Sequence, residues 1–342
     1  MSLKKTNVNH IIILYLLVCF TRVSAQVSDF KSIDFTKTDN IVALHNGESL
    51  NNLPLLVYKL KDNLVTDIEK FRAIYTWVCY NISGDANQHN TVSSKQHKFK
   101  NDSLGYIEWN ERYKKIAFKK LLKHKKTMCT GYAYLIKEMC FIANIECEII
   151  NGYGRSFESN IEQLKTLNHS WNSVKINDKW YLCDATWSSG YMINKTLFIK
   201  DYNDGYFLTD PILFSKNHYP VNKKWFLNDS LANTRFVAEP IIYGETFKQN
   251  IIPITPNTLH TTVTKNEVIN FSFKSLKTIA TNMISLIKVS KNNHIPYKIY
   301  DLKNKNGVIT FKYHFKSKGR YDIHLKIGDD IVATYAIKVS KT

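Results

Sequence analysis

Three residues in one order can do nucleophilic chemistry in this chain: Cys129, then His169, then Asp184. Cys129 lies in the small-residue stretch 127–133, and apolar positions follow at Tyr132, Ala133, Ile136, Met139, Cys140 and Ala143. That is the i, i+3, i+4, i+7 spacing of a helix with one buried stripe, so Cys129 is expected at a helix N-terminus. Unpaired backbone N–H groups and the positive end of the helix dipole favour thiolate over thiol at that place. Asn144 suits a left-handed C-cap. A single cysteine ahead of an apolar helix is otherwise a small hydrophobe, so the reading turns on the other two residues.

His169 and Asp184 fall on the two arms of one expected hairpin: a strand 169–176, a turn at Asn177-Asp178 and a return strand 179–187. With a two-residue turn, Ile176 pairs with Lys179 and His169 faces Thr186. Asp184 is then a diagonal neighbour of His169 on the same face, within side-chain reach. In that arrangement the aspartate holds one imidazole nitrogen and the other points outward. A thiol with a pKa of ~8.5 needs such a base at neutral pH. The base in turn needs a carboxylate to fix its tautomer, and helix N–H groups can hold an oxyanion. The expected site is therefore a Cys129-His169-Asp184 nucleophilic triad.

The surrounding elements follow from local patterns. Residues 53–60 read as a short helix. Thr66 and Glu69 form a capping box ahead of a stripe at Phe71, Ile74, Tyr75 and Val78. Residues 83–105 are polar and read as a loop, with His89 and His97 in solvent. A helix over 115–126 is expected to put Phe118, Leu121 and Leu122 inside and its lysines outside. Residues 147–152 read as a strand, and Trp77 and Trp171 as core. Beyond about residue 255 helical spacing gives way to alternation, as at Ile309, Phe311, Tyr313 and Phe315, or Tyr321, Ile323, Leu325 and Ile327. Six or seven short strands with no helix between them fit an immunoglobulin-like sandwich. Pro253 and Pro256 read as its linker.

The 342 residues and 44% hydrophobic composition fit two ordinary domains. Lys4, Lys5, the apolar run 11–20 and the small residues 23–25 form a secretory leader pattern. Cleavage is expected before Gln26, leaving no transmembrane segment. The formal charge of +18 would then fall to +15. The lysines are dispersed and no nucleic-acid motif accompanies them, so nucleic acid is not an expected partner. Five cysteines remain after the leader, an odd number, so at least one is a free thiol or pairs between molecules. No Cys-x2-Cys or His-x3-His spacing supports a metal, no acidic loop supports calcium, and no cofactor is expected. Six Asn-x-Ser/Thr sequons occur, one of them Asn168-His169-Ser170. A glycan there would block the cleft, which favours an exported bacterial setting: periplasm, cell surface or extracellular.

Residues 128–133, then His169-Ser170-Trp171-Asn172, then residues 180–187 resemble the three blocks of the transglutaminase-like superfamily. Residues 73–77, the segment Tyr206 to Pro211, His218-Tyr219-Pro220 and Lys224-Trp225 resemble its kyphoscoliosis-peptidase-like branch. The resemblance spans roughly residues 60–230. It implies an α+β, papain-like catalytic core, with Cys129 as nucleophile, His169 as base then acid, and Asp184 as orienter. The chain departs from the family pattern at Thr130, Gly84 and Asn144, none of them in the triad. The domains expected are a leader 1–25, a transglutaminase-like domain 26–245 and a β-sandwich 246–342. The function expected is an exported cysteine peptidase acting on protein or peptide substrates, cell-envelope ones included. A transglutaminase or deamidase on the same triad, or a non-catalytic binding module, are the alternatives. The oligomeric state is not legible.

Overall fold

The computed structural model describes residues 27–231, 235–290 and 293–341. The expected leader lies outside the described residues. Two apolar cores organise the chain.

The first core forms around α-helices that pack on a small sheet. Helices α1 (Thr36–Leu44) and α2 (Leu53–Leu60) flank α3 (Asp67–Asn81), which is buried on nearly every face from Phe71 to Cys79. The capping box starts α3 as expected: the Thr66 hydroxyl accepts from Glu69 N, and Glu69 Oε2 accepts from Thr66 N at 3.0 Å. A two-residue strand β1 (Ser83–Gly84) pairs in parallel with β2 (Lys126–Thr127). Between them lie α4 (Ala86–Lys98) and α5 (Ser103–His124).

The segment 83–105 is thus mostly helical, not a loop. Aspartates cap both helices: Asp85 Oδ1 accepts from Gln88 N at 3.1 Å and Asp102 Oδ1 from Gly105 N at 2.9 Å. The apolar stripe that betrays a helix is missing because solvent reaches most faces of α4. Phe118 also differs from expectation. It is 43% exposed and meets Tyr134 edge-on, while Leu121 alone of the expected inner trio is fully buried.

Next comes α6 (Cys129–Ile142), which begins at Cys129 and ends with Asn144 in the left-handed region at φ 59°. The sheet follows in the order β5-β4-β3-β8, built from β3 (Cys147–Gly154), β4 (His169–Ile176), β5 (Lys179–Cys183) and β8 (His218–Pro220). The β4–β5 register is the expected one, Ile176 opposite Lys179 and Asn172 opposite Cys183. Asn177 and Asp178 have φ of 50° and 60°, the left-handed pair of a type I′ turn.

The return strand stops at Cys183, four residues short of expectation. There Asp184 turns the chain into α7 (Ala185–Ser189), and the hairpin β6 (Gly190–Ile193) and β7 (Leu197–Lys200) follows. His169 consequently does not face Thr186. It lies opposite Gly152 of β3. After α8 (Pro211–Phe214) and β8, strand β9 (Ile241–Ile242) and α9 (Gly244–Lys248) lead into the second core.

That core is centred on a sandwich of nine strands between residues 251 and 340 among the described residues, and it extends to Ile150, Trp171, Leu182, Tyr206, Leu213 and Phe214. One sheet runs β10-β12-β16-β15. The other runs β11-β18-β17-β13-β14, with β9 also paired to β18. The strands are β10 (Ile251–Thr255), β11 (His260–Thr264), β12 (Val268–Ser275), β13 (Ile284–Ser290), β14 (Asn293–Tyr297), β15 (Tyr300–Lys305), β16 (Val308–His314), β17 (Gly319–Ile327) and β18 (Asp330–Ser340). Phe271, Phe273, Phe311, Leu325 and Tyr335 fill the space between the sheets. Pro253 is not in a linker: it lies within the edge strand β10, opposite Phe273, where a missing N–H is tolerated. The surplus over six or seven strands comes from exposed edge strands such as β14, which carry little apolar alternation.

The Asn177-Asp178 turn fixes the register that carries His169, and Asp178 pays a steric penalty in its left-handed conformation. Asp178→Gly is expected to raise stability by about 0.5 kcal/mol and Asp178→Val to lower it by about 1 kcal/mol. Urea denaturation of the two variants measures this.

Candidate active site

The three expected residues meet in space, although not by the expected hairpin diagonal. Asp184 is the N-cap of α7 and is fully buried. Its Oδ1 accepts from the backbone N of Thr186 at 2.8 Å and of Trp187 at 3.3 Å. Its Oδ2 accepts from His169 Nε2 at 2.7 Å. The other imidazole nitrogen is left free of Asp184, and Cys129 lines the same cleft as His169.

Packing holds these groups in place. Trp187 stacks on the His169 ring at 4.5 Å and 18°. On another side a Cβ at Gly154 would come within 3.0 Å of His169 Cβ and Cγ. Asn168 grips that glycine at both ends: its Oδ1 accepts from Gly154 N at 2.7 Å and its Nδ2 donates to Gly154 O at 2.8 Å. A glycan on the Asn168 amide would break this pair. Asn172, on the same strand as His169, donates to Ala133 O at 3.0 Å and so ties β4 to α6. Close approach also sets the start of α6, since a Cβ on Gly131 would fall 1.9 Å from Thr127 Oγ1.

The electrostatics favour an ion pair. Burial pushes the Cys129 thiol up, but the His169 hydrogen bond and charge and the Ser170 N–H outweigh it, so its pKa is lowered. Burial disfavours the His169 imidazolium, but the Asp184 charge and hydrogen bond and the thiol raise it to about 10. Burial likewise opposes the Asp184 charge, and the His169 charge and both imidazole hydrogen bonds hold it well below the usual carboxylate range. Cys79 contrasts with Cys129: burial pushes it up to about 12. Cys140 and Cys183 are raised as well, and all five described cysteines are free thiols.

A fourth group joins the site. His218 Nε2 lies 3.1 Å from the same Asp184 Oδ2, and its Nδ1 lies 2.6 Å from Asn217 Oδ1. Burial pushes it down to about 4. Trp187 and His218 are not among the site residues expected from the sequence. His218 arrives through β8, whose pairing with β3 places it opposite Gly154, one strand beyond the β4 that carries His169. Only the His218-Tyr219-Pro220 triplet hinted at it. Among the described residues, His169, Asp184 and His218 form a group close enough to share a cation, with ligand atoms within 4.8 Å of one another. Their mutual hydrogen bonds already occupy those atoms, and the arrangement is that of a proton network.

A cleft of about 450 Å³ opens onto Cys129 and His169. Its walls include Trp187, Phe157, Tyr191 and, from the connection to the sandwich, Tyr243 and Glu245. His89 also lines it, contrary to its expected place in solvent, because α4 turns it inward; His97 is exposed as expected. Trp77 and Trp171 are buried in the cores, as expected, and Trp171 lies edge-on to His218 at 4.9 Å.

Residues 56–185 match the sequence model of the Transglutaminase-like superfamily. The chain is similar to Kyphoscoliosis peptidase of Homo sapiens, 34% identical over 184 residues, which covers 52% of this chain and 24% of that protein. It is similar to Hillarin of Drosophila melanogaster, 26% identical over 209 residues, covering 57% of this chain and 23% of that protein. The chain thus spans about a quarter of the length of these relatives. Among solved structures it is similar to a TGase crystal structure at a TM-score of 0.27 and 13% identity, covering 58% of this chain and 42% of that one.

At pH 7, iodoacetamide is expected to modify Cys129 well ahead of Cys79 and Cys183. The reaction should slow as the pH falls through the lowered pKa of Cys129. Asp184→Asn removes the charge that sustains the imidazolium and is expected to slow Cys129 alkylation at least roughly tenfold, the effect of one pKa unit. Peptide mapping after timed alkylation reads both outcomes.

Proposed function

We propose, from a chain that carries a transglutaminase-like domain of the kyphoscoliosis-peptidase-like branch, that this protein is a thiol-dependent acyl-transfer enzyme and acts as a cysteine peptidase. The observation that carries the reading is the 2.7 Å hydrogen bond from His169 Nε2 to Asp184 Oδ2 in a cleft that Cys129 also lines, with a lowered thiol and a raised imidazole.

In the proposed reaction the Cys129 thiolate attacks a peptide or carboxamide carbonyl carbon. The new C–S bond sends the carbonyl π electrons to oxygen, and the N–H groups opening α6 receive that oxyanion. As the C–N bond breaks, imidazolium His169 gives its proton to the departing nitrogen from the nitrogen that faces Cys129, while Nε2–H stays on Asp184. A thioester remains. Neutral His169 then removes a proton from water, the resulting hydroxide adds to the thioester, and the carboxylic acid leaves as the thiolate is restored. An amine in place of water gives transglutamination, and a glutamine carboxamide with water gives deamidation. Hydrolysis is favoured by the similarity to the peptidase-named relatives.

The substrates proposed are proteins or peptides, cell-envelope ones included. The leader pattern of residues 1–25 supports export to a periplasm, cell surface or the exterior. Among the described residues no helix is long and apolar enough to cross a membrane. A non-catalytic binding module is the competing reading, and retention of all three triad residues counts against it.

Incubating the wild type and Cys129→Ala with a mixed peptide library and a primary amine, followed by mass spectrometry, tests the proposal. Cleaved peptides from the wild type alone are expected. Amine adducts or deamidated glutamine would reassign the acyl acceptor. No product from the wild type would favour the binding module.

A further inference from the structure

The three-residue reaction has no step for His218, yet this histidine is among the most enclosed groups near it. Phe214 stacks on its ring at 3.8 Å and 16°, Trp171 meets it edge-on at 4.9 Å, and Trp187 covers it at 4.5 Å. A phenylalanine would fill such a slot without the cost of burying two ring nitrogens. The slot fixes the imidazole so that Nε2 lies 3.1 Å from Asp184 Oδ2, the same oxygen that His169 Nε2 reaches at 2.7 Å. A carboxylate oxygen has acceptor capacity for two N–H groups, and each one it accepts draws on the same negative charge.

We propose that His218 is a positioning residue: a neutral Nε2–H donor that pins Asp184 Oδ2 and takes up part of its charge, so that His169 stays oriented but yields its proton more readily. This deepens the acyl-transfer reading and rests on it. With Nε2 as donor, His218 Nδ1 accepts, which requires the Asn217 amide to turn its nitrogen toward the ring. The titratable groups facing His218 are Asp184 from the head of α7, His169 from β4 with Cys129 of α6 beyond it, and Tyr206 at 6.3 Å. Trp171, Trp187 and Phe214 bring no charge. Burial pushes His218 down to about 4 and Asp184 is held ionised, so neither changes charge while His169, raised to about 10, takes up or loses its proton.

The test is a ring-nitrogen NMR titration of His169 in the full chain carrying Cys129→Ala, which leaves one titrating partner. It is compared with the same chain carrying His218→Phe or His218→Gln. The phenylalanine variant keeps the packing and loses the donor. His169 is expected to titrate about one pH unit higher in it, the scale of one hydrogen bond to a charged group. The glutamine variant retains an amide N–H near the place of Nε2–H and is expected to stay close to the parent. An unmoved or lowered His169 in the phenylalanine variant overturns the proposal. In the unaltered chain at pH 7, the His218 proton is expected on Nε2 alone. A proton on Nδ1, or on both nitrogens, overturns the proposal whether or not either variant folds. Peptide turnover plays no part in these readings, so a protein with the expected titrations and no turnover would contradict the acyl-transfer reading only.

Discussion

A carboxylate with no exposed surface needs several donors to remain charged, and Asp184 has four: two backbone N–H groups at the head of α7 and two imidazoles. An isolated charge so placed would cost far more than a domain's whole margin of stability, and the group would neutralise instead. Much of the local chain path follows from supplying those donors. The return strand stops at Cys183 so that Asp184 can cap α7, β4 delivers His169 to one side, and β8 delivers His218 to the other. The backbone of Asp184 is also held, its carbonyl accepting from Tyr75 OH at 3.0 Å and its N–H donating to Tyr206 O at 3.2 Å.

The two cores are joined next to this charge. Strand β9 pairs with β18 of the sandwich, Tyr243 Oη and Thr334 Oγ1 lie 2.6 Å apart, and Asn203 Nδ2 donates to Gly244 O at 2.7 Å. Asn203 also donates its backbone N–H to Ser188 O of α7 at 2.8 Å. The wall of the cleft formed by residues 242–245 is therefore tied on one side to the sandwich and on the other to the turn that Asp184 caps. The sandwich contributes to the shape of the cleft as well as to the mass of the molecule.

The features legible in the sequence were those encoded over a few neighbouring residues. The Thr66 capping box, the Cys129 helix start, the Asn144 C-cap and the Asn177-Asp178 turn each depend on a short pattern, and each is present. The expected hairpin diagonal brings Asp184 beside His169, whereas the structure does so through a helix cap. The alternation of residues 180–187 looks like a continuous strand, although an aspartate ahead of Ala185-Thr186-Trp187 is also a helix cap. Helices α4 and α5 escaped because the apolar period that marks a helix is faint where solvent covers most of the surface. His218 was out of reach for a different reason. Its meeting with Asp184 spans 34 residues and depends on β8 pairing with β3, which no local spacing encodes.

The proposed chemistry depends on Asp184 sustaining an imidazolium at His169 and, through it, a thiolate at Cys129. The most direct measurement is the thiolate absorbance of the wild type minus that of Cys129→Ala, followed against pH. The Asp184-His169-Cys129 network is expected to give a titration step below the ~8.5 of a free thiol, moved back toward that value by Asp184→Asn. A step at or above the free-thiol value in the wild type would contradict it.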